Sequence, residues 1–241
     1  MTNAHDTHLS WYRTGLATAI ASTAEDMRGV IEVTLTARFT ALDQEQTPHA
    51  VRLIGPGDIL GLDARAVVRT DPRPRANDFE PSNLAAIDLF EEDLPWRYSP
   101  KVPDGARLLP WLALVALVVL ADGEYLLSPQ GDGLPRVLQV HDAAVLPPAD
   151  QAWAWAHTAL HAEHANPADP QATAALLAAD PAASCLRLIA GRKLRAGTSY
   201  RAFLVPTFEV GRQAGLPNDA TRADRLAWPR AGAIKLPVYF E

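Results

Sequence analysis

Leu108-Leu109-Pro110-Trp111-Leu112-Ala113-Leu114-Val115-Ala116-Leu117-Val118-Val119-Leu120 is the stretch on which the fold turns. It carries no charged residue, opens around Pro110 and closes at Ala121-Asp122-Gly123. Leu and Val fall on odd and even positions alike, so no alternation marks a solvent face. That is the pattern of a strand buried on both sides. A buried helix is the rival reading, and length does not separate the two. The most apolar part, Leu112 to Leu120, is about half of what a membrane-spanning helix needs.

Working outward on the N-terminal side, residues 30–40 (VIEVTLTARFT) alternate cleanly. Val30, Glu32, Thr34 and Thr36 face one way, and Ile31, Val33, Leu35, Ala37 and Phe39 the other. This predicts a half-buried strand. Leu16, Ala17, Ile20 and Ala21 are spaced like a short helix. His49–Leu60 predicts a second strand running into the turn Gly55-Pro56-Gly57-Asp58, with further strands at Ala66–Arg69 and Asn83–Phe90. On the C-terminal side Val137–Val140 reads as a strand, and Pro147-Pro148 breaks the chain. Ala149 to Ala165, free of Gly and Pro, reads as a helix, and Gln171–Ala179 as a second one. Strands return at Ser184–Ile189, Tyr200–Pro206 and Leu236–Phe240, around a short helix at Glu209–Leu216.

These elements predict an α+β fold over 1–241 as one composite domain. It has a mostly antiparallel β core, sandwich- or jelly-roll-like, over 30–140. A helical insertion covers 149–180, and strands return over 184–241. The ending LPVYFE (236–241) stops in mid-pattern, which predicts a piece cut from a longer chain.

Composition narrows the function. The chain has 241 residues, 48% of them hydrophobic, and a formal net charge of -6. A negative balance argues against nucleic-acid or anionic-membrane partners, which need a basic face. The single cysteine, Cys185, excludes an internal disulfide and a four-cysteine metal site. It lies in an apolar run and reads as a buried structural thiol rather than a nucleophile. The N-terminus MTNAHDTHLSWYRTG lacks a basic region followed by an apolar one, so it is not a signal peptide, and a cytoplasmic location is expected.

Few residues suggest chemistry. On a helix over 153–164, His157 and His161 would share a face, with His164 beside His161, the spacing of a weak divalent-metal site. The alternative is a surface helix with solvated histidines. There is no G-x-S-x-G, no dinucleotide fingerprint and no phosphate-binding loop, so no cofactor is expected. Glu91-Glu92-Asp93 reads as an acid/base cluster or, more plainly, as a solvated turn. Six tryptophans stand out. Trp96 and Trp111 occupy matching Leu-Pro-Trp phrases, and Trp153 and Trp155 diverge at i, i+2. All four are candidates for interface anchors, with core packing as the alternative.

Several phrases together, IGPGDILGLD (54–63), FEPSNLAAIDL (79–89), LPWRYSP (94–100), LLPWLALVAL (108–117), WAWAH (153–157), SYRAFLVPTFEVGRQAGL (199–216) and LPVYFE (236–241), resemble one family. It comprises the N-terminal part of large proteins encoded in bacterial gene clusters for contractile injection systems, the phage-tail-like particles. The resemblance spans residues 30 to 241 and carries over no catalytic residues. It implies a non-enzymatic structural or assembly component whose partners are other particle proteins, self-association among them. Two other classes remain: a carbohydrate- or peptide-binding targeting module, and a metal-dependent hydrolase built on His157, His161 and one of Glu163 or His164.

Overall fold

In the computed structural model, residues 7–37, 45–119, 123–131, 133–161 and 169–241 are described. In chain order they form strands β1 (Thr7–Leu9), β2 (Ser22–Thr23), β3 (Gly29–Ala37), β4 (Glu45–Arg52), β5 (Val67–Asp71), β6 (Leu84–Leu89), β7 (Leu112–Val118), β8 (Tyr125–Ser128), β9 (Val137–Val140), β10 (Ala156–Leu160), β11 (Ser184–Lys193), β12 (Tyr200–Pro206) and β13 (Ile234–Pro237). The helices are α1 (Leu94–Arg97), α2 (Pro170–Ala179) and α3 (Glu209–Gly215). The pairings between these strands are antiparallel. The fold is α+β with a β-rich core.

The apolar run at 112–118 is a strand, β7, and each of its residues is buried. Among the described residues it pairs only with β12, from Tyr200 opposite Val118 to Pro206 opposite Leu112. Leu112, Leu114 and Ala116 point into one core and Ala113, Val115 and Leu117 into another. The two-stranded ribbon is thus the middle layer of three. That is why an antiparallel strand here lacks the usual polar face.

The first core is closed by a five-stranded sheet ordered β1-β10-β11-β6-β5, which contributes Ile87, Leu89, Leu186 and Leu188. The second is closed by a three-stranded sheet ordered β13-β9-β8, with Leu138, Val140, Ile234 and Leu236. Strands that follow residue 184 therefore lie beside strands that precede residue 141: β11 on β6, β12 on β7 and β13 on β9. A fourth sheet, β2-β3-β4, stands apart from both cores.

Over 149–161 the expected helix is not formed, and the rest of that reading, 162–165, lies outside the described residues. Ala149–Trp155 is a 3-10 helix, and the chain then extends as β10, with Ala156 opposite Leu188 and Leu160 opposite Ser184. The alanines favour a helix only weakly, and pairing on both sides, with β1 and β11, outweighs that preference. The second helix forms as read, at α2. Among the described residues no helix is long and apolar enough to cross a membrane, which says nothing of barrels.

Candidate interaction surface

The two Leu-Pro-Trp phrases meet in the first core. The Trp96 indole donates to the Leu108 carbonyl at 3.1 Å, and the Trp111 indole donates to the Leu94 carbonyl at 2.6 Å. Each indole thus finds its acceptor in, or one residue before, the other phrase, as buried indoles require. Trp96 is 0% and Trp111 1% exposed. Trp111 also packs edge-on to Tyr98 and tilted against Tyr239. These two candidates are core residues and reach no partner in the folded chain. Arg13, itself buried, ties the N-terminal segment to the same place through the carbonyls of Trp96, Ser99 and Lys101.

Trp153 and Trp155 are half-buried. The Arg107 guanidinium lies 4.6 Å over the Trp153 ring. Trp155 lies flat on Gly191, where a Cβ would come within 2.6 Å of the indole, so only glycine fits there. Both rings are committed to contacts within the chain.

His157 and His161 do not converge. With β10 in place of a helix, His157 and His161 are about 13 Å apart along an extended backbone at about 3.3 Å per residue. His157 bonds the Ala154 carbonyl at 3.0 Å, and burial pushes its pKa down. His161 instead approaches Cys185, at 3.5 Å from Nε2 to Sγ. His164 lies outside the described residues. Among the described residues no group of three or more His, Cys, Asp or Glu is placed to hold a metal ion. Cys185 sits on the outward side of β11 and is half-buried, because its neighbours Ser184 and Leu186 take the inward positions. In the acid cluster Asp93 is buried rather than solvated, held by Arg97 and by the Thr14 hydroxyl at 2.6 Å.

The surface that does stand out is the β3–β4 hairpin. Its register runs from Val30 opposite Arg52 to Ala37 opposite Glu45. Ile31, Val33 and Leu35 share a face with Val51, His49 and Thr47, the residues opposite them. Only Ile31 of that face is buried, in a small cluster with Ala17 and Ile20 at the hairpin's root. Val33, Leu35 and Val51 are 37%, 56% and 41% exposed. The half-buried strand of the sequence is therefore a strand exposed on both faces beyond Ile31: the residues that should cover its apolar side are not in the described part of this chain.

The root is held by charge. Arg28 reaches Asp58 at 2.5 and 3.0 Å and Asp26 at 2.9 Å, and Arg52 reaches Asp26 at 3.2 Å. Hydrogen bonds from Arg28 and from the Gly55 N–H hold the Asp58 carboxyl below its ordinary pKa. Gly29, first residue of β3, has Ile20 pressed against it; a Cβ there would come within 2.7 Å of that side chain.

No family model, no curated protein and no solved structure matches the chain.

One open cleft adjoins the root, about 470 Å³ in volume, lined by Asp26, Arg28, Asp58, Glu209, Gln213 and Thr221 among others. Its charges are already spent on each other. Glu209 holds the buried Arg212 at 2.7 and 2.8 Å and accepts the Arg222 backbone N–H at 2.9 Å. The cleft therefore offers shape but no unengaged acid or base pair. The hairpin offers what binding needs, extended backbone with an apolar face.

Proposed function

We propose that this chain is a non-enzymatic structural or assembly component of a phage-tail-like contractile injection particle, acting in the cytoplasm through contacts with other particle proteins. One observation carries the reading: the β3–β4 hairpin presents Val33, Leu35 and Val51 to solvent on a clamped, regular strand pair. A strand patterned for half-burial and left uncovered is surface meant for another protein. The resemblance of the 54–63, 94–100, 108–117 and 199–216 phrases to proteins of injection-system gene clusters supports that setting.

The test is capture by the immobilised chain of the purified proteins of such a particle. Val33→Ser and Leu35→Ser together should abolish retention of the protein that the parent chain retains. If no particle protein is retained by the parent, or if the double variant retains it equally well, the reading fails.

A further inference from the structure

The hairpin has two outer edges, and they are not alike. Leu53 N–H donates to the Gly29 carbonyl at 2.9 Å, and Ala24 N–H to the Arg28 carbonyl at 2.8 Å. These bonds fix the phase of the ladder, in which successive residues send their backbone groups to opposite sides. Gly29, Ile31, Val33 and Leu35 face β4. Val30, Glu32, Thr34 and Thr36 face the other way. There β2 reaches only Gly29 and Val30. Beyond it the N–H and C=O groups of Glu32, Thr34 and Thr36 have no strand partner among the described residues. On the outer edge of β4 the outward positions are Gln46, Pro48, Ala50 and Arg52, and Pro48 has no N–H to offer. One edge is blocked and the other is an open template.

We propose that the open edge of β3 pairs, antiparallel and about a two-fold axis at Thr34, with the same edge of a second copy of this chain. The uncovered length, Ile31 to Ala37, is centred on Thr34. That centre sets Thr34 opposite Thr34, Glu32 opposite Thr36 and Val33 opposite Leu35. Each carboxylate then faces a hydroxyl, and the two Glu32 side chains stand about 13 Å apart at about 3.4 Å per residue. Shifting the centre to Glu32 would set the two carboxylates face to face, and would drive the second strand into β2.

The pairing adds about six backbone hydrogen bonds. It yields a four-stranded sheet ordered β4-β3-β3-β4. Both outer edges of that sheet carry Pro48, so association closes at two copies instead of propagating. The apolar faces of the two hairpins lie on the same side and become one continuous surface. The pairing rests on the backbone edge alone, so it can fail while the particle-assembly reading stands, and the reverse.

The experiment is the mass of the purified chain in solution by light scattering, from about 1 to 200 μM, the range suited to a small strand-pairing interface. The parent chain should rise to a two-chain mass. Thr34→Lys and Thr34→Glu each set like charges opposite one another at an exposed position. Each alone should move the midpoint at least about tenfold higher. An equal mixture of the two variants should restore the two-chain mass, a result that a folding defect cannot give. Ala50→Lys, on the blocked edge, should change nothing. A parent chain of single mass throughout overturns the proposal and leaves the edge to a strand from another protein. It is equally overturned if the Thr34 variants associate like the parent, if their mixture stays monomeric, or if Ala50→Lys dissociates the pair.

Discussion

The molecule holds two antiparallel two-stranded ribbons of similar length that meet opposite fates. The β7–β12 ribbon, along all of β7 and from Phe203 to Pro206 of β12, is buried on both faces between two cores, while the β3–β4 ribbon is exposed on both faces beyond its root. Their sequences differ in the way their surroundings do. LALVALV has no polar phase at all, whereas VIEVTLT alternates one apolar and one polar position. The first pattern can be satisfied only by layers on both sides. The second is satisfied by one layer, and does not say whether that layer belongs to the same chain. Stability is invested in the first ribbon and contact with other proteins in the second.

The largest expected effect lies where the layers lock. Trp111→Ala removes a fully buried ring and leaves the Leu94 carbonyl without its donor. It should destabilise the chain by about 3–5 kcal/mol, read as a drop in the denaturant midpoint. A loss under about 1 kcal/mol would mean that the reciprocal Leu-Pro-Trp contact does not hold the layers together.

A matched pair of substitutions tests the two ribbons against each other. Val115→Thr buries a hydroxyl opposite Phe203 and should destabilise by about 1–3 kcal/mol. Val33→Thr makes the same chemical change on the hairpin and should stay within about 0.5 kcal/mol. Equal losses at the two positions would show that the hairpin face is covered in solution.

The parts of this fold that could be read from sequence are those where composition leaves one solution. LALVALV (112–118) could not face water on either side, so its burial was legible although its antiparallel partner, β12, is more than eighty residues away. The helix reading fails over 149–161 because the alanines there report a helical preference of only tenths of a kcal/mol per residue. Strand pairing to Ser184–Leu188, set by tertiary contact, decides otherwise. With the helix goes the His157–His161 pairing, which was a consequence of period and not of chemistry. Trp96 and Trp111 suggest contact residues by their type alone. The signal against that was the duplication of Leu-Pro-Trp itself, since two equal phrases can satisfy each other's indoles. The hairpin was legible as a strand and illegible as a surface, because alternation encodes which side is apolar and carries no information on who covers it.

The smallest expected effect concerns the root that holds the hairpin out. Asp58 is tied to Arg28 and to the Gly55 N–H, and its folded pKa is lowered by those bonds. A lowered carboxyl contributes stability above its unfolded pKa of about 4, and loses it as the pH falls through the lower folded value. The clamp should therefore be fully engaged at neutral pH and loosen only below about pH 4. Asp58→Asn should loosen it at every pH. Because the two side chains are 39% and 30% exposed and screened by solvent, the change in global stability should be under about 1 kcal/mol. Hydrogen exchange separates the ribbons where the unfolding midpoint cannot. Amides of β7 exchange through global opening, so Asp58→Asn should leave them almost untouched, while amides of β3 exchange through local opening of the hairpin and should speed up several-fold. If both ribbons accelerate together, the hairpin belongs to the same cooperative unit as the core, and the division between a stabilising ribbon and a contacting one is wrong.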